Sequence, residues 1–276
     1  MSLYFGIAVF VLAIVALIYL FMISPRLSNP ADMELLKTDY AHRGLWNERF
    51  PENSLGAFER AARAGHAIEL DIRLTKDKRI VVFHDDDLMR MCGVGKKVSD
   101  MTLAELKRFP LGKSAERIPT FAEVLKLVNG RVPLLIEVKG EIPEKALCLG
   151  ASLMLDRYRG PFCIESFSPL ILRWFKKYRP SYARGQLVTK LTEHTRRGSR
   201  LISFLLSRML ANFLSRPDFV AVNGNLRKSL CFTLCTKAFH VPGFIWTVRD
   251  KNDFVLCKKA GHNVIFEKIL PKGKQQ

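Results

Sequence analysis

The sequence predicts an α/β fold: a (β/α)8 TIM barrel behind an N-terminal transmembrane helix, with a small insertion after the second strand. Three observations lead there. Nine short apolar runs alternate with helical stretches, the order expected of parallel βαβ units. Two of those runs stand too close together for a crossover helix, so they pair as an antiparallel hairpin; setting that hairpin strand aside leaves eight, the number that closes such a barrel. Finally, no charge precedes Arg26, and Leu3 to Ile23 is a run of 21 residues that are apolar but for Gly6.

That run comes first in the chain. Roughly 20 apolar residues cross the hydrocarbon core as a helix, and Tyr4, Phe5, Tyr19 and Phe21 near its two ends suit an interfacial belt. A cleaved signal peptide is the competing reading. It would need a basic n-region, a shorter apolar core and a small-x-small site, and none precedes Arg26. Residues 1–24 are therefore expected to be an anchor, 25–38, with Pro25 and Pro30, a linker, and 39–276 the barrel domain.

Strands are expected at Tyr40–Arg43, Ala67–Arg73, Arg79–His84, Pro133–Val138, Phe162–Ser166, Ala183–Val188, Phe219–Val222, Gly243–Val248 and Asn263–Phe266. The second and third are joined by the turn Lys76-Asp77-Lys78 and form the hairpin. Helices are expected at Asn53–Ala64, Thr102–Phe109, Thr120–Val128, Pro143–Tyr158, Pro169–Tyr178, Thr195–Leu214, Lys228–Ala238 and Asp250–Ala260. Ser, Asp or Pro marks several starts, and Gly65, Gly130 and Gly261 mark ends. Residues 85–118 form the insertion.

Composition excludes a disordered chain, at 48% hydrophobic and 25% charged. The net charge of +18 is uneven: −1 over residues 1–40, +4 over 41–140 and +15 over 141–276. Such a surplus faces a polyanion, nucleic acid or an anionic membrane. The basic residues lack interleaved stacking aromatics or a nucleic-acid motif, so no nucleic-acid partner is expected. The six cysteines are scattered without a CxxC pair, as buried thiols of a reducing compartment are. Arg26 and Lys37 on the C-terminal flank of the span place the globular part in the cytoplasm by the positive-inside bias.

Chemistry gathers at strand ends, where barrel active sites lie. The first strand ends Ala41-His42-Arg43-Gly44, the second holds Glu69-Leu70-Asp71, the hairpin strand ends Phe83-His84-Asp85, and the next ends Glu137-Val138-Lys139. Glu69 and Asp71 share a face at i and i+2, as do Glu137 and Lys139. On a solvent face they would be ordinary surface charges. Facing a barrel interior, the acids would repel one another unless a cation compensates. Three carboxylates are hard oxygen donors and suit Mg²⁺ or Ca²⁺.

At this point the sequence resembles the glycerophosphodiester phosphodiesterases. The resemblance runs through Ala41-His42-Arg43-Gly44, Pro51-Glu52-Asn53-Ser54, Glu69-Leu70-Asp71, Thr75-Lys76-Asp77, Val82-Phe83-His84-Asp85, Ile118-Pro119-Thr120 and Glu137-Val138-Lys139, then Ser166-Phe167-Ser168-Pro169 and Trp246-Thr247-Val248, over about residues 40–250. It implies a divalent metal held by Glu69, Asp71 and Glu137, with His42 and His84 as general base and general acid. It also implies that Arg43, Lys139 and Trp246 form the substrate and phosphate side. Glu52 and Asn53 read as support for the rim. Late in the chain the sequence departs from the family: Arg249 stands where Asn is usual, and Glu267 stands in place of a Thr-Asp-Arg-Pro-like element. Met91-Cys92 replaces a common Thr. His66, His194, His240 and His262 match no motif.

The segment Arg196–Arg216 is a very apolar helix flanked by arginines. It reads either as a barrel helix packed on its strand or as an interfacial helix on anionic lipid. The sequence thus predicts a membrane-anchored, metal-dependent hydrolase of glycerophosphodiesters. A lysophospholipase D using the same rim is the enzymatic alternative, and a catalytically silent lipid-binding protein the non-enzymatic one.

Overall fold

The computed structural model describes residues 2–26, 33–190 and 200–271. Among them run the strands β1 (Tyr40–Ala41), β2 (Ala67–Leu74), β3 (Ile80–Val82), β4 (Asp87–Leu88), β5 (Val94–Lys97), β6 (Leu134–Val138), β7 (Phe162–Ser166), β8 (Arg184–Val188), β9 (Phe219–Asn223), β10 (Gly243–Val248) and β11 (Asn263–Phe266). β1, β2 and β6 to β11 are parallel, and they close because β1 pairs with both β2 and β11. β3 lies antiparallel on the end of β2, with Ile72 opposite Val82. The barrel and the hairpin are those the sequence predicts.

Register decides which side chains meet. Asp71 pairs with Glu137, Glu137 with Glu165, Glu165 with Gly185, and Gly185 with Phe219. Partners on neighbouring parallel strands share a face, and every second residue continues it. The inward face therefore carries acids toward the C-terminal ends and aromatic rings toward the N-terminal ends. The Phe244 ring packs 4.9 Å from Phe219 and 5.9 Å from Tyr40. Gly185 makes room for this floor, since a Cβ there would fall 2.0 Å from Phe219 Cε2. The opposite faces, with Ile68, Leu70, Ile164 and Val220, are fully buried under the helices.

Caps start those helices where expected. Ser54 Oγ accepts from Ala57 N, Thr120 and Glu123 form a capping box, and Pro169 follows the cap Ser168. The insertion folds as a β4–β5 hairpin with its own small core of Val81, Phe83, Leu88, Val98, Met101 and Leu106.

Two elements differ from expectation. The predicted long helix is, in its described part, two pieces, Arg200–Ser207 and Asn212–Ser215. It breaks where Met209 takes a φ of 59° and buries its side chain to 1% exposure. Arg196, Arg197 and His194 lie outside the described residues. The helix expected at Lys228–Ala238 is one α turn, Leu230–Thr233, that widens into a π turn at Leu234–Ala238.

Helix α1 (Ser2–Ile23) stands out from the barrel, its mean hydropathy reaching 3.0 within Leu3–Ile23. Only its last turn docks. Ile23 is fully buried and its carbonyl accepts from Asn212 Nδ2 at 3.1 Å. Arg216 Nη1 donates to the carbonyls of Phe21 and Ser24, at 3.2 and 3.1 Å. The short helix α2 (Met33–Leu36) follows within the stretch read as a linker, with Met33 and Leu36 buried. The Leu36 carbonyl accepts from Tyr40 Oη and so seals the barrel floor. The partners of α1 precede β9, so the helix joins the barrel at the N-terminal ends of its strands.

Candidate active site

The C-terminal ends of the strands surround a cavity of about 450 Å³. His42, Arg43, Glu69, His84, Glu137 and Trp246 line it. Oxygens of Glu69, Asp71 and Glu137 lie within 4.8 Å of one another, all three residues buried. The i, i+2 acids thus face the interior, and cations compensate them. Lys139 Nζ sits 2.7 Å from both Asp71 Oδ1 and Glu137 Oε2. The Arg43 backbone N–H donates to Glu69 Oε2 at 2.9 Å, and its guanidinium Nε lies 3.5 Å from Asp71 Oδ2.

Local backbone geometry aims these groups. Arg43 and Asn53 both take left-handed φ values, 58° and 56°, the kind of strained position that clusters at functional sites. Asn53 N donates to the Arg43 carbonyl, and its Nδ2 donates to Asp71 Oδ2 at 2.8 Å. Asn53 thereby ties the first βα loop to the acids. Glu52 accepts from Arg43 Nη1 at 2.6 Å.

Burial pushes Glu69 well above the usual carboxylate range, and the neighbouring Asp71 adds to it. Burial also pushes Asp71 up, but Lys139, His84 and Arg43 outweigh it and hold that carboxyl well below its usual range. Burial raises Glu137 against the pull of Lys139. One ionised and two strained acids form a hard-oxygen set short of positive charge, which fits a divalent cation.

Each histidine has a carboxylate on Nδ1 and an arginine behind that carboxylate. His42 Nδ1 lies 3.1 Å from Glu267 Oε2, which accepts from Arg249 Nη2 at 2.9 Å. His84 Nδ1 lies 2.6 Å from Asp85 Oδ1, and Asp85 Oδ2 accepts from Arg90 Nε at 2.6 Å. Arg90 also holds both oxygens of Glu52, closing a network back to Arg43. Burial raises Glu267, but the His42 hydrogen bond and Arg249 outweigh it and hold it at about 2. Burial likewise raises Asp85, but the His84 hydrogen bond and Arg90 outweigh it and hold that carboxyl below its usual range. Ionised carboxylates only accept, so each ring keeps an N–H on Nδ1 toward its carboxylate, which leaves Nε2 for chemistry. His42 Nε2 points toward the acids, 4.0 Å from Glu69 Oε2. Burial, ahead of the opposing pull of Glu267, lowers the His42 pKa below that of free imidazole.

Of the residues named from the sequence, His42, Arg43, Glu69, His84, Glu137 and Trp246 line this cavity, and Asp71 and Lys139 lie against them, Lys139 on Glu137 and Asp71 within 4.8 Å of both glutamates. Trp246 stands edge-on to Phe167 with centroids 5.6 Å apart and donates Nε1–H to the Ala221 carbonyl. Sequence reasoning missed Glu165. It is 1% exposed, lines the cavity, and its Oε2 finds no hydrogen-bond partner among the described residues. Burial and then Glu69 push it well above the carboxylate range. The signal was present: a Glu inside the apolar run Phe162–Ser166. Arg249 and Glu267, marked only as departures from the family pattern, turn out to be partners. Asn223, Asn225 and Arg227 also line the wall.

The model of the glycerophosphoryl diester phosphodiesterase family matches residues 42–267. The chain belongs to this family. The match begins at His42 and ends at Glu267, two residues that hydrogen-bond to each other. A glycerophosphodiester phosphodiesterase of Caldanaerobacter subterraneus subsp. tengcongensis is 33% identical over 233 residues, 80% of this chain and 89% of that protein. A human lysophospholipase D is 37% identical over 137 residues, 45% of this chain and 42% of that protein. The alignment with YhdW of Bacillus subtilis spans 61% of that relative's length. Among solved structures, an Oleispira antarctica phosphodiesterase in complex with the product sn-glycerol-3-phosphate superposes with a TM-score of 0.70 at 23% identity, over 83% of this chain and 92% of that one. Family membership agrees with the barrel.

Proposed function

We propose that this protein hydrolyses glycerophosphodiesters to glycerol 3-phosphate and an alcohol, with a divalent cation on Glu69, Asp71 and Glu137, while α1 anchors it in a membrane with the barrel on the cytoplasmic side. The observation that carries the reading is the pair of histidines, each backed by a carboxylate and an arginine, beside buried acids at one barrel mouth. A bound Mg²⁺ or Ca²⁺ would supply Lewis-acid stabilisation of the phosphoryl oxygens.

The side chains divide the remaining work. A phosphodiester is an anion, so Arg43 and Lys139 lower the cost of bringing a nucleophile to it. His42, neutral and with Nε2 bare, takes the proton of the substrate's own glycerol hydroxyl as its oxygen bonds to phosphorus in place of the departing alcohol, Glu267 steadies the imidazolium that forms, and water then opens the cyclic phosphate to glycerol 3-phosphate. His84 gives a proton from Nε2 to the leaving oxygen, with Asp85 as its counter-charge. Trp246 and Phe167 wall the glycerol side. Release of glycerol 3-phosphate from a glycerophosphodiester tests the reading: EDTA and His42→Ala should each abolish it, and unchanged turnover in either case sinks it.

One observation favours a second reading. Phe167, Leu187 and Trp246 give the cavity an apolar wall, and a human lysophospholipase D is among the relatives. The same residues would then act on a lysophospholipid headgroup, and lysophosphatidate as product would separate the two. The anionic membrane surface predicted as a partner is supported by the exposed Leu201, Ile202 and Phe204, on the helix that precedes the α1-docking segment Asn212–Arg216.

A further inference from the structure

A second, larger cavity of about 940 Å³ lies at the other end of the barrel, between the last turn of α1 and the loops before β8, β9 and β10. Its described lining holds four cations, Arg26, Lys176, Arg184 and Arg216, and no carboxylate. One acid lies behind them: Asp218, 3% exposed, sits 3.5 Å from Arg26 and 3.9 Å from Arg184. Among the described residues, neither Lys176 nor Arg216 has a carboxylate partner. Lys176 Nζ donates to the Leu214 carbonyl at 3.2 Å. Burial, then Arg216 and Arg184, pull its pKa below the ordinary lysine value. Like charges held this close favour an anion among them.

Apart from Ser24, the rest of the wall is apolar. Phe239 faces the last turn of α1, and the Arg216 guanidinium lies 4.6 Å over the Phe21 ring. Cations beside hydrocarbon at the end of a membrane span are where lipid phosphates lie. A free inorganic anion would leave the apolar wall without a function.

We propose that this cavity binds one acidic phospholipid of the membrane that α1 enters, its phosphate between Lys176 and Arg216 and an acyl chain along Phe21 and Phe239. The inference rests on the anchor reading above. It gives the basic half of the chain a specific ligand and clamps the anchor to the barrel through a lipid.

Full-length protein in a non-ionic detergent is titrated with phosphatidylglycerol or phosphatidylcholine of matched chains, and bound lipid is counted by native mass spectrometry. One phosphatidylglycerol should be retained, with phosphatidylcholine about tenfold weaker or more. Lys176→Gln should weaken phosphatidylglycerol binding, and the double variant with Arg216→Asn should weaken it on the order of 30-fold, two cations at the lipid surface. Asn tolerates the positive φ of 47° at position 216. Both variants should hydrolyse a soluble glycerophosphodiester at the wild-type rate. Equal binding of the two lipids by the wild type, a comparison that needs no variant, overturns the site. So does undiminished binding by Lys176→Gln, or inorganic phosphate binding as tightly as the lipid. Alkaline carbonate extraction tests the anchor separately: release from membranes sinks the anchor and the inference with it, whereas a chain that stays but shows no acidic-lipid preference sinks the site alone.

Discussion

Replacing Glu267 by Gln removes one charge and keeps the shape of the side chain. Its Oε2 lies 3.1 Å from His42 Nδ1. When His42 takes a proton, that separation corresponds to about 5 kcal/mol at an effective dielectric near 20. Arg249, 2.9 Å from the same oxygen but 57% exposed, cancels part of it. A charge-assisted hydrogen bond exceeds a neutral one by about 1–2 kcal/mol. Together these put the loss at roughly 2–4 kcal/mol of transition-state stabilisation, a fall in kcat/KM of about 30- to 1000-fold. The pH profile adds a sign. Losing the anion lowers the His42 pKa, so the acid limb of kcat/KM moves to lower pH in Glu267→Gln. Arg249→Met removes the competing cation, so its acid limb moves to higher pH, with a loss below about tenfold because the guanidinium is largely in water. Steady-state assays of glycerol 3-phosphate release across pH 4–9 (roughly the range over which imidazole titrates) read both. A Glu267→Gln enzyme within threefold of wild type (about 0.7 kcal/mol), or limbs moving the same way in both variants, would refute the assignment of His42 as a carboxylate-backed base.

Other outcomes follow from the same geometry. Activity lost to EDTA should return with Mg²⁺ or Ca²⁺, and Glu137→Gln should weaken that rescue; full activity of the stripped protein would count against the acid triad as a metal site. Gly185→Ala forces a Cβ onto the buried Phe219 ring, so thermal unfolding should show a loss of about 1–3 kcal/mol, partly recovered by Phe219→Leu. Under native conditions at mildly alkaline pH, maleimide should label Cys92 ahead of the other thiols, because it alone among the six is not fully buried. Burial holds Cys148 and Cys235 as thiols, each pushed up to about 12, so early labelling of either would contradict the packing. Thr120→Ala removes the capping hydrogen bond to Glu123 N and should cost about 1 kcal/mol.

Much of this was legible in the chain because local rules and the fold agree. Apolar runs such as Phe219–Val222 can only be interior strands, and the short Lys76–Lys78 turn forces a hairpin. The rim was legible because strand-end residues share one mouth. What escaped depended on contacts between distant segments. Met209 breaks a helix with no Gly or Pro to announce it, and its buried side chain meets Cys235, whose Sγ lies 3.9 Å from the Met209 sulfur and 3.6 Å from the Ile23 carbonyl of α1. Glu165 looked like one more residue of an apolar run until register set it beside Glu137. Arg249 and Glu267 looked like two separate departures until the closing of the barrel joined them on His42.

Helix α1 and the mouth that holds the candidate site occupy opposite ends of the barrel. Five-residue strands rise roughly 16 Å, and the loops at both ends add to that. With α1 in a bilayer, the mouth stands clear of the lipid surface and opens into water. Such an enzyme is a tethered sentinel rather than a grazer. On the proposed reading it would take substrates that have already left the bilayer, deacylated glycerophosphodiesters foremost, or headgroups offered by a facing membrane. Turnover should then follow the substrate's aqueous concentration rather than its density in the host leaflet.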